Sequence, residues 1–540
     1  MNEAELIDHA RKFAAVRDVV MTHSQYAEAE LDPDALLQEE LGIDSIMLAA
    51  IVADLQQVFQ GAGRVSADQF DTLGALIQGF ARFELKPAAV FRPAPAETAL
   101  AACAGTAAGV AQAGEQRLQQ GQQGARITMR DFVGSGESDL FAKARRFSRF
   151  LQERERNGEF WYGMASMGLC TNRARIFDKY EGREREFLLF ASNNYLGLAN
   201  DPRVIEAMIA AVREYGATNT GSRLIGGTTR LHLELEQRLA RFKGREDCIV
   251  FPSGYSANLG TISALLGAND LVITDVYNHM SIQDGCKLSG AAKKIYAHND
   301  MASLEDVLRR SDGKPGGRLI VADGVFSMHG DVVDLPGLTR LARKYGAKVL
   351  IDDAHSTGVL GATGSGTTEH FGMKGAADLE VGTMSKALGG QGGFVVGDQE
   401  VIDYLRFYAN AYVFAATIPA AVAAGLIASL DILEAEPQRL QRLWDNIRYL
   451  KSALDGCGFD TEQSASAIIP IVIGDEGRAM AMGRSVRRRG LFCQTVVFPG
   501  VAVGDARLRI SVLESHTRED LDQAVRILLE SAHENHLLAQ

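Results

Sequence analysis

Several features are missing from this 540-residue sequence, and each absence closes off a class of protein. No apolar run reaches 18 residues, so no membrane-spanning helix is expected. The N-terminal MNEAELIDHARKFAAV carries acids early and has no apolar centre, so it does not read as a secretory leader, and a cytoplasmic location is expected. Cysteine is scarce: six residues, scattered, with no CxxC pair. That argues against a disulfide framework or a cysteine-rich zinc site and fits a reducing compartment. Basic residues are few at one end, where residues 1–85 hold 15 acids against 5 Lys and Arg, most of the net charge of −12. Nucleic acid is not an expected partner of such a surface; a basic docking patch on a protein fits it better.

The chain is too long for one ordinary core. Residues 1–85 read as a small helical unit, with apolar spacing of three and four over Glu5–Val20, Ile46–Phe59 and Phe70–Phe83. From 86 to 134, Pro, Ala, Gly and Gln dominate with little periodicity, and a flexible linker is expected. A long functional loop is the rival reading, but a loop so poor in bulky residues has little to pack with. Residues 135–540 alternate short apolar runs (DCIVF, DLVITDV, KKIYAH, RLIVAD, AKVLIDDAH, DLEVGTMS) with helical stretches, the pattern of an α/β domain with a mainly parallel sheet. The end of the chain, with AIIPIVIG, ARLRISVL and a final helix, predicts a small α+β C-terminal lobe.

Several stretches bear chemistry. LGIDSIMLAA places Ser45 at the start of a helix in the acidic unit; helix N-capping is its simplest role. FPSGYSAN is a strand entering a turn and then a helix, whose first backbone N–H groups suit a phosphate. His279 lies in a polar turn, ADGVFSMHGD brings Ser327 to the end of a strand, and IDDAHSTG puts Asp352, Asp353 and His355 at a strand end, where open α/β sheets bind ligands. Zinc binding by that Asp/His pair is an alternative, but no further ligands complete a set. VGTMSKALGGQGGFVVG sets Lys386 between an apolar run and a glycine-rich turn that opens into a second apolar run. A lysine so placed can be desolvated, lose its proton and attack a carbonyl.

In this order the motifs of residues 140–540 resemble the α-oxoamine synthases, fold-type I enzymes dependent on pyridoxal phosphate (PLP), which include 8-amino-7-oxononanoate synthase and serine palmitoyltransferase. The N-terminal unit, with Leu-Gly-x-Asp-Ser-Ile before an apolar helix, resembles acyl and peptidyl carrier proteins, whose serine bears a 4'-phosphopantetheine arm; here that serine is Ser45. The resemblance implies an aminotransferase-like large domain, a small α+β lobe and an all-α carrier bundle. It assigns Lys386 to hold PLP, Asp352 to pair with the pyridine nitrogen, His355 and Ser327 to the ring's phenolic oxygen, and His279 to stack on the ring and take part in catalysis. Gly254, Tyr255 and Thr383 match phosphate contacts; Thr417 matches one supplied by a second subunit of a homodimer. Asn193 and Arg509 match positions near the substrate carboxylate, where a guanidinium suits bidentate binding; from its strand position alone Arg509 reads as a surface arginine. His329 and Met280 depart from the family pattern close to the expected site and put substrate identity in question.

The activity so implied is decarboxylative condensation of an amino acid with an acyl thioester carried on Ser45, giving an α-aminoketone and CO2. It requires a phosphopantetheinyl transferase and an acyl-loading enzyme as partners and suits secondary metabolism. A synthase using acyl-coenzyme A and a PLP aminotransferase are the alternatives.

Overall fold

The computed structural model describes residues 3–23, 37, 45–60, 70, 72–85, 132, 139–313 and 316–538. By contacts the chain divides into two units, Met1–Met164 with Val497–Ala506, and Ala165–Val496 with Arg507–Gln540. The expected linker at 86–134 lies outside the described residues except for Phe132.

In the N-terminal region the three expected helices are present: α1 (Glu3–His23), α2 (Ser45–Val58) and α3 (Leu73–Ala81). Their apolar stripes meet in one core containing Val16, Val20, Leu48, Ile51, Leu55, Leu73, Leu76 and Phe80. Thr72 caps α3 by accepting the Ala75 N–H at 3.0 Å. The bundle is not wholly helical, because Phe59–Gln60 pairs antiparallel with Glu84–Leu85. The chain enters α2 at Ser45, whose side chain lies outside the described residues.

The larger unit is built on a seven-stranded sheet. In chain order its strands are β1 (Asp247–Phe251), β2 (Leu271–Asp275), β3 (Ala292–Tyr296), β4 (Arg318–Asp323), β5 (Lys348–Asp352), β6 (Leu379–Thr383) and β7 (Gly393–Gly397). Spatially they run β1–β7–β6–β5–β4–β2–β3. The six expected runs are the parallel strands; all but the edge strand β3 are largely buried and accordingly rich in Val, Ile and Leu. The second apolar run after Lys386 forms β7, which pairs antiparallel with both β1 and β6. Its glycine start is a packing requirement: a Cβ on Gly393 would lie 2.4 Å from the Ser253 carbonyl and 2.6 Å from the Gly254 nitrogen.

The helices that concern the site are α4 (Arg230–Lys243), α5 (Gly254–Leu265), α6 (Met280–Ser289), α7 (Ala420–Ala435) and α8 (Arg518–Glu534). The C-terminal lobe carries β8 (Ile468–Gly474), β9 (Gln494–Val496) and β10 (Ala506–Ser511), in spatial order β8–β10–β9. Its core is continuous with that under α4 and α7. No helix among the described residues is long and apolar enough to cross a membrane.

Candidate active site

The carboxyl ends of the parallel strands open into a cleft lined by residues that include Gly254, Tyr255, His279, Ser327, Asp352, His355, Thr383 and Lys386. Eight residues chosen from sequence thus converge on one place, although they span more than 130 positions of chain. Asp352 ends β5 and Thr383 ends β6, so the sheet itself fixes both. Gly254 opens α5, whose N-cap Ser253 forms a reciprocal capping box with Ser256. A side chain on Gly254 would crowd Thr383, 3.0 Å from its Cβ, so glycine leaves this helix start open toward the cleft.

Lys386 lies among these groups in the cleft lining. Its Nζ lies 2.8 Å from His355 Nε2. Burial lowers its pKa to about 8; the Arg509 charge acts in the same direction, and Asp352 and Asp323 oppose it. His355 Nδ1 contacts the Tyr195 hydroxyl at 2.7 Å, and that hydroxyl donates to Asn193 Oδ1 at 3.2 Å. The tyrosine hydrogen is thereby used, so His355 Nδ1–H donates to Tyr195 and Nε2 is left to accept from the lysine. Burial, then Lys386 and Arg509, hold His355 well below the ordinary imidazole pKa, which keeps it neutral for that task.

Arg509 is 2% exposed on β10 and is not the surface arginine its strand position suggested. Its Nε donates to the Ser327 carbonyl at 2.6 Å, and Nη1 and Nη2 reach Asn193 Oδ1 at 3.3 and 3.4 Å. Arg509 and Asn193 therefore form one network, joined through Tyr195 to His355 and Lys386. Thr417 stands apart: it does not line this cleft, and its buried Oγ1 has no hydrogen-bond partner among the described residues.

Four participants carried no role in the sequence reading. Asn258, four residues after Gly254 on α5, donates to Asp352 Oδ2 at 2.6 Å and to Ser281 Oγ at 3.0 Å. Asp323 ends β4, where Ser327 was expected; Ser327 lies in the turn that follows. Burial and the neighbouring Asp352 push the Asp323 carboxyl well above the usual carboxylate range. Tyr195 and Ser281 complete the set. The helical spacing of Gly254 and Asn258 was the available signal for one of them. Of the two departures, neither Met280 nor His329 is in the cleft lining, though Met280 directly follows His279, which is. His329 instead stacks on Tyr277 with ring centroids 4.3 Å apart, and burial lowers its pKa to about 3.

The donor set fits PLP. Asp352 accepts Asn258 at one oxygen and the Ala354 N–H at 2.9 Å at the other, and each oxygen retains a lone pair for a pyridinium N–H. An amine that loses its proton near neutral pH, an open helix start for a phosphate and a buried guanidinium share the same region. The zinc alternative gains nothing: Asp352 and His355 are committed to different partners, and no cluster of three metal-ligating side chains occurs among the described residues.

Comparison with known proteins agrees with this chemistry. The family model for aminotransferase class I and II matches residues 185–528, and that for the phosphopantetheine attachment site matches residues 14–79. The 4-hydroxy-2,2'-bipyrrole-5-methanol synthase PigH of Serratia sp. is 54% identical over 533 residues, 96% of this chain and 80% of that protein. The 8-amino-7-oxononanoate synthase of Symbiobacterium thermophilum is 46% identical over 341 residues, 63% of this chain and 87% of that protein. Serine palmitoyltransferase of Sphingomonas wittichii superposes with a TM-score of 0.71 at 33% identity, covering 74% of this chain and 100% of that one. A structure of SPT with PLP internal aldimine gives 0.70 over the same shares. The chain belongs to the α-oxoamine synthase family, PLP-dependent fold-type I acyltransferases that decarboxylate, and it bears an N-terminal phosphopantetheine-attachment domain.

Proposed function

We propose that this enzyme condenses an amino acid with an acyl thioester delivered by its own N-terminal domain, releasing CO2 and an α-aminoketone. The observation that carries the reading is one chain holding both the Lys386 cleft and a region matching phosphopantetheine attachment. In this reading residues 1–85 are the carrier, 86–134 the tether and 135–540 the synthase. Ser45 takes the arm from a phosphopantetheinyl transferase, and a separate enzyme loads the acyl group. A carrier held in the same chain keeps the thioester at high local concentration.

PLP, when bound, supplies an electron sink for the charge left on the amino acid Cα. Lys386 would hold PLP, and its Nζ would take the Cα proton of the amino acid. Asp352 accepts the ring N–H and keeps that proton in place. Gly254, Tyr255 and Thr383 hold the phosphate, Ser327 and His355 the phenolic oxygen. Arg509 and Asn193 would orient the substrate carboxylate, and His279 would stack on the ring and face the substrate. Thr417 reaches the phosphate of a second subunit in a homodimer. The exposure of Phe414 (82%) and Ile225 (83%) on this chain supports that assignment.

Incubation with a phosphopantetheinyl transferase and coenzyme A should add the mass of one arm to the full-length chain, read by intact-mass spectrometry. Ser45→Ala should gain nothing. An equal gain by the variant would remove Ser45 from the proposal.

A further inference from the structure

His279 caps α6 with its own ring. The Ser281 backbone N–H donates to His279 Nδ1 at 3.2 Å, and the Ser281 hydroxyl lies 2.7 Å from the same atom. A backbone N–H can only donate, so Nδ1 accepts and the ring hydrogen sits on Nε2.

The same direction follows from the opposite end. Asn258, 2% exposed, reaches Asp352 Oδ2 at 2.6 Å. A reversed amide would set its oxygen against a carboxylate oxygen at that distance, so the NH2 group faces Asp352. Its second hydrogen goes to Ser281 Oγ at 3.0 Å, which turns the Ser281 O–H toward His279 Nδ1. The hydrogens of the chain Asp352–Asn258–Ser281–His279 are all directed by its carboxylate end. Nε2 has no partner among the described residues, and His279 lines the cleft.

We propose that Asn258 and Ser281 are positioning residues that lock His279 with its hydrogen on Nε2, so that it offers the substrate a hydrogen-bond donor and not a base. The acceptor is an oxygen of the substrate, either the amino acid carboxylate or the thioester carbonyl. This rests on the substrate-facing position given to His279 in the proposed function. Burial, assisted by Lys386 and opposed by Asp352, lowers the His279 pKa and favours the uncharged ring. The device also divides labour: the base in the cleft is Lys386, and His279 recognises.

The test uses full-length enzyme labelled with 15N-histidine. Two-bond 15N–1H correlation spectra report the tautomer, and His279→Gln identifies the signal. The wild type is expected to show an unprotonated Nδ1 and a protonated Nε2. Ser281→Ala keeps the backbone N–H and loses the hydroxyl; it should populate the Nδ1–H form and weaken substrate binding about tenfold, with Ser281→Thr restoring both. Binding of glycine, L-alanine and L-serine to the holoenzyme is read from the visible absorbance of PLP, and that of saturated acyl-coenzyme A esters by competition. Weakening for the amino acids alone assigns the donor to the carboxylate; weakening for the acyl esters alone assigns it to the thioester carbonyl. A protonated Nδ1 in the wild type overturns the proposal, as does a Ser281→Ala variant with unchanged tautomer and affinities. An altered tautomer with both affinities intact overturns the recognition role. Wild-type CO2 release, measured separately, reports on the proposed function itself.

Discussion

Lys386→Ala is expected to lose the long-wavelength absorbance of lysine-bound PLP and to reduce turnover by about a thousandfold or more, because the proposed function gives one amine both tasks, covalent anchor and base. The structure explains why this lysine suits both tasks. It is enclosed by a neutral His355 and a buried Arg509, and burial brings its pKa to about 8. At pH 8 about half of it is uncharged, against roughly 0.3% of an ordinary lysine. Because the pKa is lowered, the proton is lost as pH rises through this value. Capture of PLP by the apoenzyme should therefore accelerate about tenfold per pH unit below pH 8 and level off above it. Stopped-flow absorbance across pH 6–10 checks the profile, and a spectrum unchanged by Lys386→Ala would contradict the assignment.

Lys243→Ala is expected to destabilise the larger unit by about 3–5 kcal/mol, the range for removing one partner of a buried ion pair. Lys243, Asp353 and Glu380 are each 0% exposed. The Lys243 ammonium donates to Asp353 Oδ2 at 2.5 Å and to the Ser365 carbonyl at 2.6 Å. It also lies 2.9 Å from Glu380 Oε2, an ion pair outside good hydrogen-bond directions. Burial alone would discharge this lysine; the two carboxylates hold its pKa above the ordinary value instead. Without it, two carboxyl groups face each other in a dry core. The site would feel the loss, since Asp353 follows Asp352 and Glu380 lies on β6, which leads to Lys386. Urea denaturation followed by circular dichroism, with and without PLP, measures the cost. A change below about 1 kcal/mol would show that the triad relaxes or admits water.

Much of this was legible in the sequence, for identifiable reasons. RLIVAD and KVLID are buried on both faces, so their continuous apolar character marks parallel strands. Lys386 and Asp352 were legible because charged residues at the ends of such runs have few other reasons to be there. β7 was harder: GFVVG pairs with β6 close by, but its other edge pairs with β1, Gly393 opposite Phe251, across more than a hundred residues. Tyr195 carried no role in the sequence, although its hydroxyl joins Asn193 to His355. Asn258 and Ser281 sit in the first turns of helices, where polar residues usually serve as caps, and only the fold turns them toward Asp352 and His279. His329 and Met280 drew notice as departures from a pattern, and the fold keeps both off the cleft lining.

The source of the acyl group decides between a carrier-fed and a coenzyme A-fed enzyme. The decisive measurement is release of labelled CO2 from carboxyl-labelled amino acids by full-length enzyme whose carrier has been loaded with an acyl group. The account predicts release from the loaded wild type, in an amount matching the loaded carrier, and none from Ser45→Ala treated identically. Equal release by Ser45→Ala supplied with the free acyl-coenzyme A ester would contradict it.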